Sequence, residues 1–459
     1  MSNDAKSLNE LKELRAEVNW ECTKERKKFL YKFYDLINSW RGRRPNFRDI
    51  FRPEEIDWIL EEGVRSDYDP EKLLDLLIDT GYKDEPDVDQ DGKPLWRRST
   101  AVHAIRGRYP KHESAVRKLF KIYDRFDSNY TNEFSVTHFH VACEYGLEEV
   151  VQKFLDLGQD PNLQKVKSAS PLSLAVIEGH KDVALLLLKN GANPNLAIVE
   201  GSTILHILCD GYFDVELLKM LFDICDESNQ TLQIEAKDKF GRTPLQWAVA
   251  RLMPNIVDVL LYRGADLSSF FFPAVCDFGY TYERFTQNHD DESKKISSAL
   301  LIAERLEKRG YELDLHDALT IMNFFDKYQL FDQSWIRIKC SNHEEFESKL
   351  KNIEIRPSLS LYELFRMRSD EAAKLVTVAD YYKLAGSGKL SELIYQYRKV
   401  CDLHLCEITL RKFCRRWALD SFLELTRYRL PIVCCDIIIR NLINKDLFHI
   451  CLAAADQHR

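Results

Sequence analysis

Glycine and proline are scarce, 17 and 14 among 459 residues. Long flexible or low-complexity linkers are therefore not expected. Long apolar runs are lacking as well. Val183–Leu188, Phe270–Cys276 and Ile432–Ile439 are the longest, and each is far short of the ~20 residues that cross a bilayer. Met1–Lys6 is polar and runs into the charged stretch Leu11–Glu25, without the apolar core of a secretory signal. Positive charge is not in excess: 65 Lys and Arg face 73 Asp and Glu, a net charge of −8. That argues against a nucleic-acid partner, which needs a strongly basic face. The expectation is a folded intracellular chain, cytoplasmic or nuclear, with neither membrane nor nucleic acid as a partner.

Catalytic signatures are absent too. Ala385-Gly386-Ser387-Gly388-Lys389-Leu390 superficially suggests a phosphate loop, but Lys383 and Leu390 stand where that motif needs Gly and Ser or Thr. A glycine-rich turn between helices accounts for it. No zinc-protease, hydrolase-elbow or kinase pattern occurs. His289-Asp290-Asp291-Glu292 lacks the alternating ligands and glycine of a calcium loop. The 12 cysteines are irregularly spaced. Cys401, His404, Cys406 and Cys414 form the densest group, but the spacing is not that of paired zinc knuckles, and core thiols are the expected reading. No enzyme activity, catalytic residue, cofactor or metal is expected.

What the chain does contain is a repeat. Thr137-His-Phe-His140-Val-Ala142, Ser170-Pro171-Leu172-Ser-Leu-Ala175, Thr203-Ile-Leu205-His206-Ile-Leu208 and Thr243-Pro244-Leu245-Gln-Trp-Ala248 align, at intervals of 33, 33 and 40 residues. Gly146, Gly179 and Gly211 follow three of these starts, and the apolar helices Val150–Leu157, Val183–Leu188, Val215–Phe222 and Ile256–Leu261 come next. Units close at Gly158-Gln-Asp160-Pro-Asn162, Gly191-Ala-Asn193-Pro-Asn195 and Gly264-Ala-Asp266. Each residue type has a mechanical reason. A hydroxyl at a helix start accepts from an orphan N–H, proline suits the first helical position, small alanines let helices approach, and glycine closes a helix in the left-handed region. His140 and His206 are expected to bond the threonine three residues earlier rather than act as ligands or bases. Asp91-Gly92, Thr100-Ala-Val102-His103 and Ala115–Ile122 form a degenerate earlier unit. Glu54–Glu61 and Glu71–Thr80 read as a capping helix pair, since repeat stacks need polar ends. The insert Asp226–Ala236 is expected to project as a loop.

The period near 33 and the T-P-L-H-x-A start resemble the ankyrin repeat. The resemblance implies an all-α solenoid with short β-hairpin loops that binds a protein through its hairpin tips and short helices. Glu144, Tyr145, Lys165, Lys167, Ile177, Glu178, Asp210 and Arg251 are the target-binding candidates on that pattern. The expected organisation is an N-terminal helical arm and cap over 1–90, about five repeats over 91–268, a helical extension over 269–353 and a separate helical domain over 354–459. Glu10–Ser39 has helical periodicity. Its basic run Lys24–Lys28, followed by Arg41, Arg43 and Arg44, reads as a solvated helix face, with a nuclear address or acidic-partner patch as the alternative.

In the last domain, Leu361–Arg368, Glu371–Leu384, Leu390–Val400, Ile408–Phe413 and Trp417–Arg427 are candidate helices. Leu430, Pro431, Ile438, Leu442, Asp446 and Leu447 then fall in register with the start of an F-box, with Val433 where the motif has Glu. Repeats followed by a truncated F-box-like end resemble the PRANC family of poxviruses, parasitoid wasps and bacterial endosymbionts. That resemblance implies a substrate adaptor, in which the six residues meet the Skp adaptor of a Skp–cullin–F-box ubiquitin ligase and the repeats hold the target. Leu430, Pro431, Ile438, Leu442 and Leu447 would be apolar anchors in the adaptor's groove, and Asp446 would cap the next helix. The alternative is an ankyrin scaffold or inhibitor that recruits no ligase.

Overall fold

The computed structural model describes residues 3–40, 45–66, 68–86, 88–91, 95, 97–106, 113–163, 169–210, 213–278, 292–331, 344–390 and 392–457. Gly92, Arg41, Arg43, Arg44, Gly211, His289, Asp290 and Asp291 lie outside them, as do Lys165 and Lys167. The chain divides into two compact units, residues 1–204 with 219–232, and residues 205–218 with 233–459.

The first unit opens with α1 (Asn3–Ala16), α2 (Thr23–Ser39), α3 (Pro53–Arg65) and α4 (Glu71–Asp79). The periodicity of Glu10–Ser39 suggested one helix, but the structure breaks it between α1 and α2. Asn19 is the reason: its side chain accepts from the Glu21 N–H at 3.0 Å, and its own N–H donates to the Glu25 carboxylate at 2.8 Å. Such local side-chain bonds compete with helix continuation. The break turns Trp20 onto Phe29, Phe51 and Trp58, with ring centroids 5.4–6.3 Å apart. Within the basic run, Arg26 lies over the Trp58 ring and Lys27 pairs with Glu62 at 3.1 Å.

The repeats follow as helix pairs: α5 (Ala101–Ala104) with α6 (Glu113–Ile122), α7 (His138–Glu144) with α8 (Glu148–Asp156), and α9 (Pro171–Ile177) with α10 (Lys181–Lys189). The boundary between the units falls in the next pair, α11 (Ile204–Leu208) and α12 (Val215–Glu227). In the second unit α13 (Pro244–Ala250) pairs with α14 (Pro254–Tyr262). One local device recurs at the helix starts. The residue three positions on reaches back to the N-cap amide: His103 Nδ1 to Thr100 at 3.1 Å, His140 Nδ1 to Thr137 at 3.2 Å, Ser173 Oγ to Ser170 at 2.8 Å, and Gln246 Oε1 to Thr243 at 2.8 Å. His140 thus bonds its own repeat's threonine, and its Nε2 meets the Leu163 carbonyl at 3.2 Å. His206 Nε2 meets the Arg242 carbonyl at 3.0 Å. These histidines are structural braces.

One feature of the repeats differs from expectation. The insert does not simply project as a loop: α12 runs 13 residues against nine in α8, α10 and α14, so part of the extra length extends the helix. The hairpins are minimal. A single bridge, Thr131 to Thr137, replaces extended strands at one tip, and Asp238 N–H to Arg242 carbonyl closes another. At both tips an Asx side chain holds the turn. Asn132 accepts from the Phe134 and Val136 amides, and Asp238 from the Phe240 and Arg242 amides, at 2.8–3.0 Å.

The second unit continues with α15 (Glu292–Lys308), α16 (Leu315–Lys327), α17 (Glu344–Lys351), a small antiparallel pair β1 (Glu354–Arg356) and β2 (Leu359–Ser360), α18 (Leu361–Arg366), α19 (Ser369–Leu375) and α20 (Val378–Gly386). Then come α21 (Tyr395–Leu425), α22 (Ile432–Arg440) and α23 (Asn444–Gln457). The three helices expected over 390–427 are largely one: α21 spans 31 residues. No glycine or proline interrupts it, and Val400–Arg411 is buried on every face. Its polar members, among them Asp402, His404, Glu407 and Arg411, are buried with the apolar ones, and α15, α16, α19, α20, α22 and α23 all pack on α21. Gly386 ends α20 and Gly388, at φ +76°, makes the turn that superficially suggested a phosphate loop.

Candidate protein-binding surfaces

Two surfaces carry the sequence candidates. On the first unit's repeats, Glu144 is mostly buried and ion-paired to Arg106, while Ile177 and Glu178 are half-buried at the end of α9. Tyr145 was expected to be exposed and is not: it is 3% exposed, and its hydroxyl donates to the Ile105 carbonyl at 3.0 Å. Its ring fills the space between successive repeats and cannot be a contact residue. Lys165 and Lys167, as noted, lie outside the described residues.

On the second unit's repeat, Asp210 and Arg251 form an ion pair at 2.8 Å. Burial pushes the Asp210 carboxyl up despite Arg251 beside it. Arg251 also lies over the Trp247 ring, 5.0 Å from its centroid. Arg242 sits 4.5 Å from the Trp247 centroid and 4.7 Å from that of Phe240. Phe240 stands at the hairpin tip, 60% exposed, with Lys239 Nζ 4.8 Å from its centroid. Beneath them Asp238 is buried, accepting the Trp247 indole N–H at 3.0 Å and the Arg242 Nε–H at 3.0 Å. Burial raises its carboxyl, but these donors and the Arg242 amide together hold it below the ordinary range. Lys239, Phe240, Arg242 and Trp247 were missed in the sequence. The signal was available: an aromatic residue at a turn tip between two cations has no core to serve.

The other surface is α22. It docks on α21 by only two apolar side chains, Cys435 and Ile439. Polar clamps do the rest. Arg411, buried on α21, donates to the carbonyls of Leu442 and, at 2.7 Å, Arg440, while its Nε meets Asp370 at 3.0 Å. A guanidinium suits the carbonyl-rich end of a helix. Arg415 pairs with Asp436 at 2.9 Å, and the buried Asn444 amide donates to the Glu407 carbonyl at 2.9 Å. The opposite face of α22 and its flanks is left apolar and open. Val433 is 65% and Ile437 55% exposed, and Leu430, Ile432, Ile438 and Ile443 are exposed beside them. Together they present on the order of 500 Å² of apolar surface, at the upper end of what soluble proteins leave uncovered without a functional reason.

Of the six F-box-like positions, Leu430, Pro431 and Ile438 are exposed, and Leu442 is partly so. Leu447 is not available: it is 0% exposed on α23, among the residues that fix this helix to α21. Its apolar character serves the core, which the linear pattern alone could not distinguish. The Asp446 carboxylate accepts the Ile443 N–H at 3.3 Å at the start of α23. Ile432, Val433 and Ile437 were missed as surface residues.

The cysteine-rich stretch is packed in the core. Cys401, Cys406 and Cys414 are buried on α21, His404 Nε2 meets the Leu364 carbonyl at 3.3 Å, and burial drives the Cys406 and Cys414 thiols well up. Among the described residues Asp314, His316 and Asp317 bring potential ligand atoms together. Asp314 there caps α16, and Asp317 accepts the Tyr311 hydroxyl at 2.8 Å.

Comparison with known proteins bears on the repeats. A family model described as "Ankyrin repeats (3 copies)" matches residues 102–198 and 172–270. Human B-cell lymphoma 3 protein is 31% identical over 137 residues, 29% of this chain and 30% of that protein. Putative ankyrin repeat protein FPV014 of fowlpox virus is 30% identical over 127 residues, 27% of this chain and 28% of that protein. E3 ubiquitin-protein ligase KEG of Arabidopsis thaliana is 27% identical over 143 residues, 29% of this chain and 8% of that protein. The chain spans less than a third of the length of each of these relatives. Residues 102–270 of this chain are therefore ankyrin repeats, a protein-binding array.

Proposed function

We propose that this chain is a substrate adaptor: the ankyrin repeats hold a target protein, and the exposed face of α22 engages the Skp adaptor of a Skp–cullin ubiquitin ligase. The observation that carries the second half is the open apolar row of Leu430, Ile432, Val433, Ile437 and Ile438, held rigidly by polar clamps beneath. A short amphipathic helix presenting spaced apolar residues is the helix-in-groove mode of recognition. The register of Leu430, Pro431 and Ile438 with an F-box start supports the choice of groove. With Val433 in place of Glu, the contact is purely apolar at that point. Ubiquitin transfer would belong to the recruited ligase, in the cytoplasm or nucleus.

Substitution is a sharper test than truncation, because α23 is core to the second unit. Val433→Asp and Ile437→Asp change exposed side chains and leave the α21 contacts intact. Binding of purified Skp adaptor to the intact chain, abolished by either variant with thermal unfolding unchanged, is the expected result. No adaptor binding by the intact chain would refute the ligase half and leave a protein-binding ankyrin scaffold.

A further inference from the structure

We infer that the Phe240–Arg242–Trp247 stack is a receptor for a carboxylate on an acidic segment of the bound protein. The inference rests on reading the repeats as the target-binding surface and names the chemistry of that target. Arg242 is clamped between two rings, 4.7 and 4.5 Å from their centroids. Its Nε–H is committed to the buried Asp238. Among the described residues no bond is made by its two terminal amino groups. The Arg242 side chain is 30% exposed, and the terminal edge of a guanidinium matches a carboxylate with two parallel N–H···O bonds. Stacking on aromatic faces restricts the side chain in advance, so little rotamer freedom is lost when the anion arrives.

The surroundings fit the same ligand. Lys237 and Lys239 are exposed on the tip, and Arg251 lies over the Trp247 ring. Two carboxylates lie nearby. The Asp238 side chain is 1% exposed and bonded to three backbone or ring donors besides Arg242's Nε–H, and Asp210 is paired with Arg251. Neither is bonded to the terminal amino groups of Arg242. Phe240, 60% exposed on the same tip, adds an apolar contact beside the carboxylate. A basic segment would be repelled by Arg242, and a neutral carbonyl would gain less from it than a carboxylate does. The carboxylate could come from an Asp or Glu side chain or from a chain end.

The test uses the intact chain and a fluorescein-labelled 12-residue peptide rich in Asp and Glu with one Phe, read by fluorescence anisotropy. Its Asn/Gln counterpart and its C-terminally amidated form are the comparison arms. The acidic peptide should bind, weaken with salt, and lose at least about tenfold in affinity as the Asn/Gln form, the range of charge-assisted bonds. Arg242→Lys keeps the charge but not the fork, and should weaken the acidic peptide severalfold while the chain stays folded by circular dichroism; Phe240→Ser should do so independently, with unchanged thermal unfolding. Loss on amidation alone would assign the chain end as the source, and retention the side chains. Equal binding of the acidic peptide and of an Asn/Gln peptide with an amidated end, which has no carboxylate at all, or no effect of Arg242→Lys, overturns the inference. If both peptides bind equally and Phe240→Ser abolishes both, the repeats still bind protein and only the carboxylate reading fails.

Discussion

Lowering the pH should unfold the first unit through a specific pair of rings. His103 and His138 lie 4.9 Å apart, and both hydrogen-bond the Thr100 hydroxyl, at 3.0 and 2.7 Å. His103 Nδ1 also accepts the Thr100 N–H, so a proton there removes the acceptor that caps α5. Burial pushes the His103 imidazole down to about 4, and burial with the charges of His103 and Arg98 pushes His138 well below its ordinary value. The folded state therefore binds these protons less readily than the unfolded chain, whose histidines titrate near 6.5. The His103 contribution is complete above about 6.5 and falls as the pH drops through the window between about 6.5 and about 4; the His138 contribution is lost in the same direction. For His103 alone the loss is about 2 kcal/mol at pH 5 and about 3 kcal/mol in full. The repeats contain their own control. Gln246 fills the same slot in a later repeat and makes the same bond to the Thr243 amide at 2.8 Å. His103→Gln should keep the cap, match the parent at pH 7, and lose less stability on going to pH 5. Urea unfolding followed at both pH values measures the difference. An unchanged pH dependence in His103→Gln, with normal stability at pH 7, would refute the reasoning.

Other substitutions separate conformational strain from crowding. Gly146 has φ +66° and an added Cβ would stand 2.4 Å from the His180 ring, whereas Gly191, at φ +88°, faces open space. Gly146→Ala should cost about 1 kcal/mol more than Gly191→Ala, which should cost the ~1–2 kcal/mol of left-handed backbone alone; denaturant midpoints compare them. Thr137→Ala removes the hydroxyl that accepts from the His140 amide and should cost about 1 kcal/mol by the same measurement. Arg411→Ala strips the clamp from α22, leaving two carbonyls unmatched and Asp370 with only the longer contact to Arg415 at 3.8 Å. It should cost about 2 kcal/mol and raise hydrogen exchange across 430–443 before the rest of the second unit.

The repeats were legible because each unit carries its own local instructions. A hydroxyl at the helix start, a reach-back acceptor three residues on and a left-handed glycine are all short-range, so linear spacing reveals them. The arm was less so: the break at Asn19 depends on two side-chain bonds that periodicity does not register. In the C-terminal region, α21 was read as pieces because its polar residues suggested boundaries. Asp402, His404, Glu407 and Arg411 are instead buried, and at least His404 and Arg411 have partners 29 to 41 residues away in sequence. The same limit applies to the candidate surfaces. Whether Leu447 or Ile437 faces outward depends on which side of each helix meets α21, and an apolar letter at a motif position is silent on that. Tyr145 shows the converse, a residue with a polar tip buried in the stack with its hydroxyl on the Ile105 carbonyl.

The clamp on α22 has a kinetic consequence. A recognition helix that folds only against its partner binds at a rate set by how often the folded form appears. Here the helix axis is already fixed by Arg411, Arg415 and Asn444, and its apolar row is displayed before any encounter. Capture should then be a single-step, collision-controlled process, with an association rate in the 10⁵–10⁷ M⁻¹s⁻¹ range usual for preformed surfaces, linear in partner concentration without saturation. Differences among α22 variants would be felt almost wholly in how long the complex lasts.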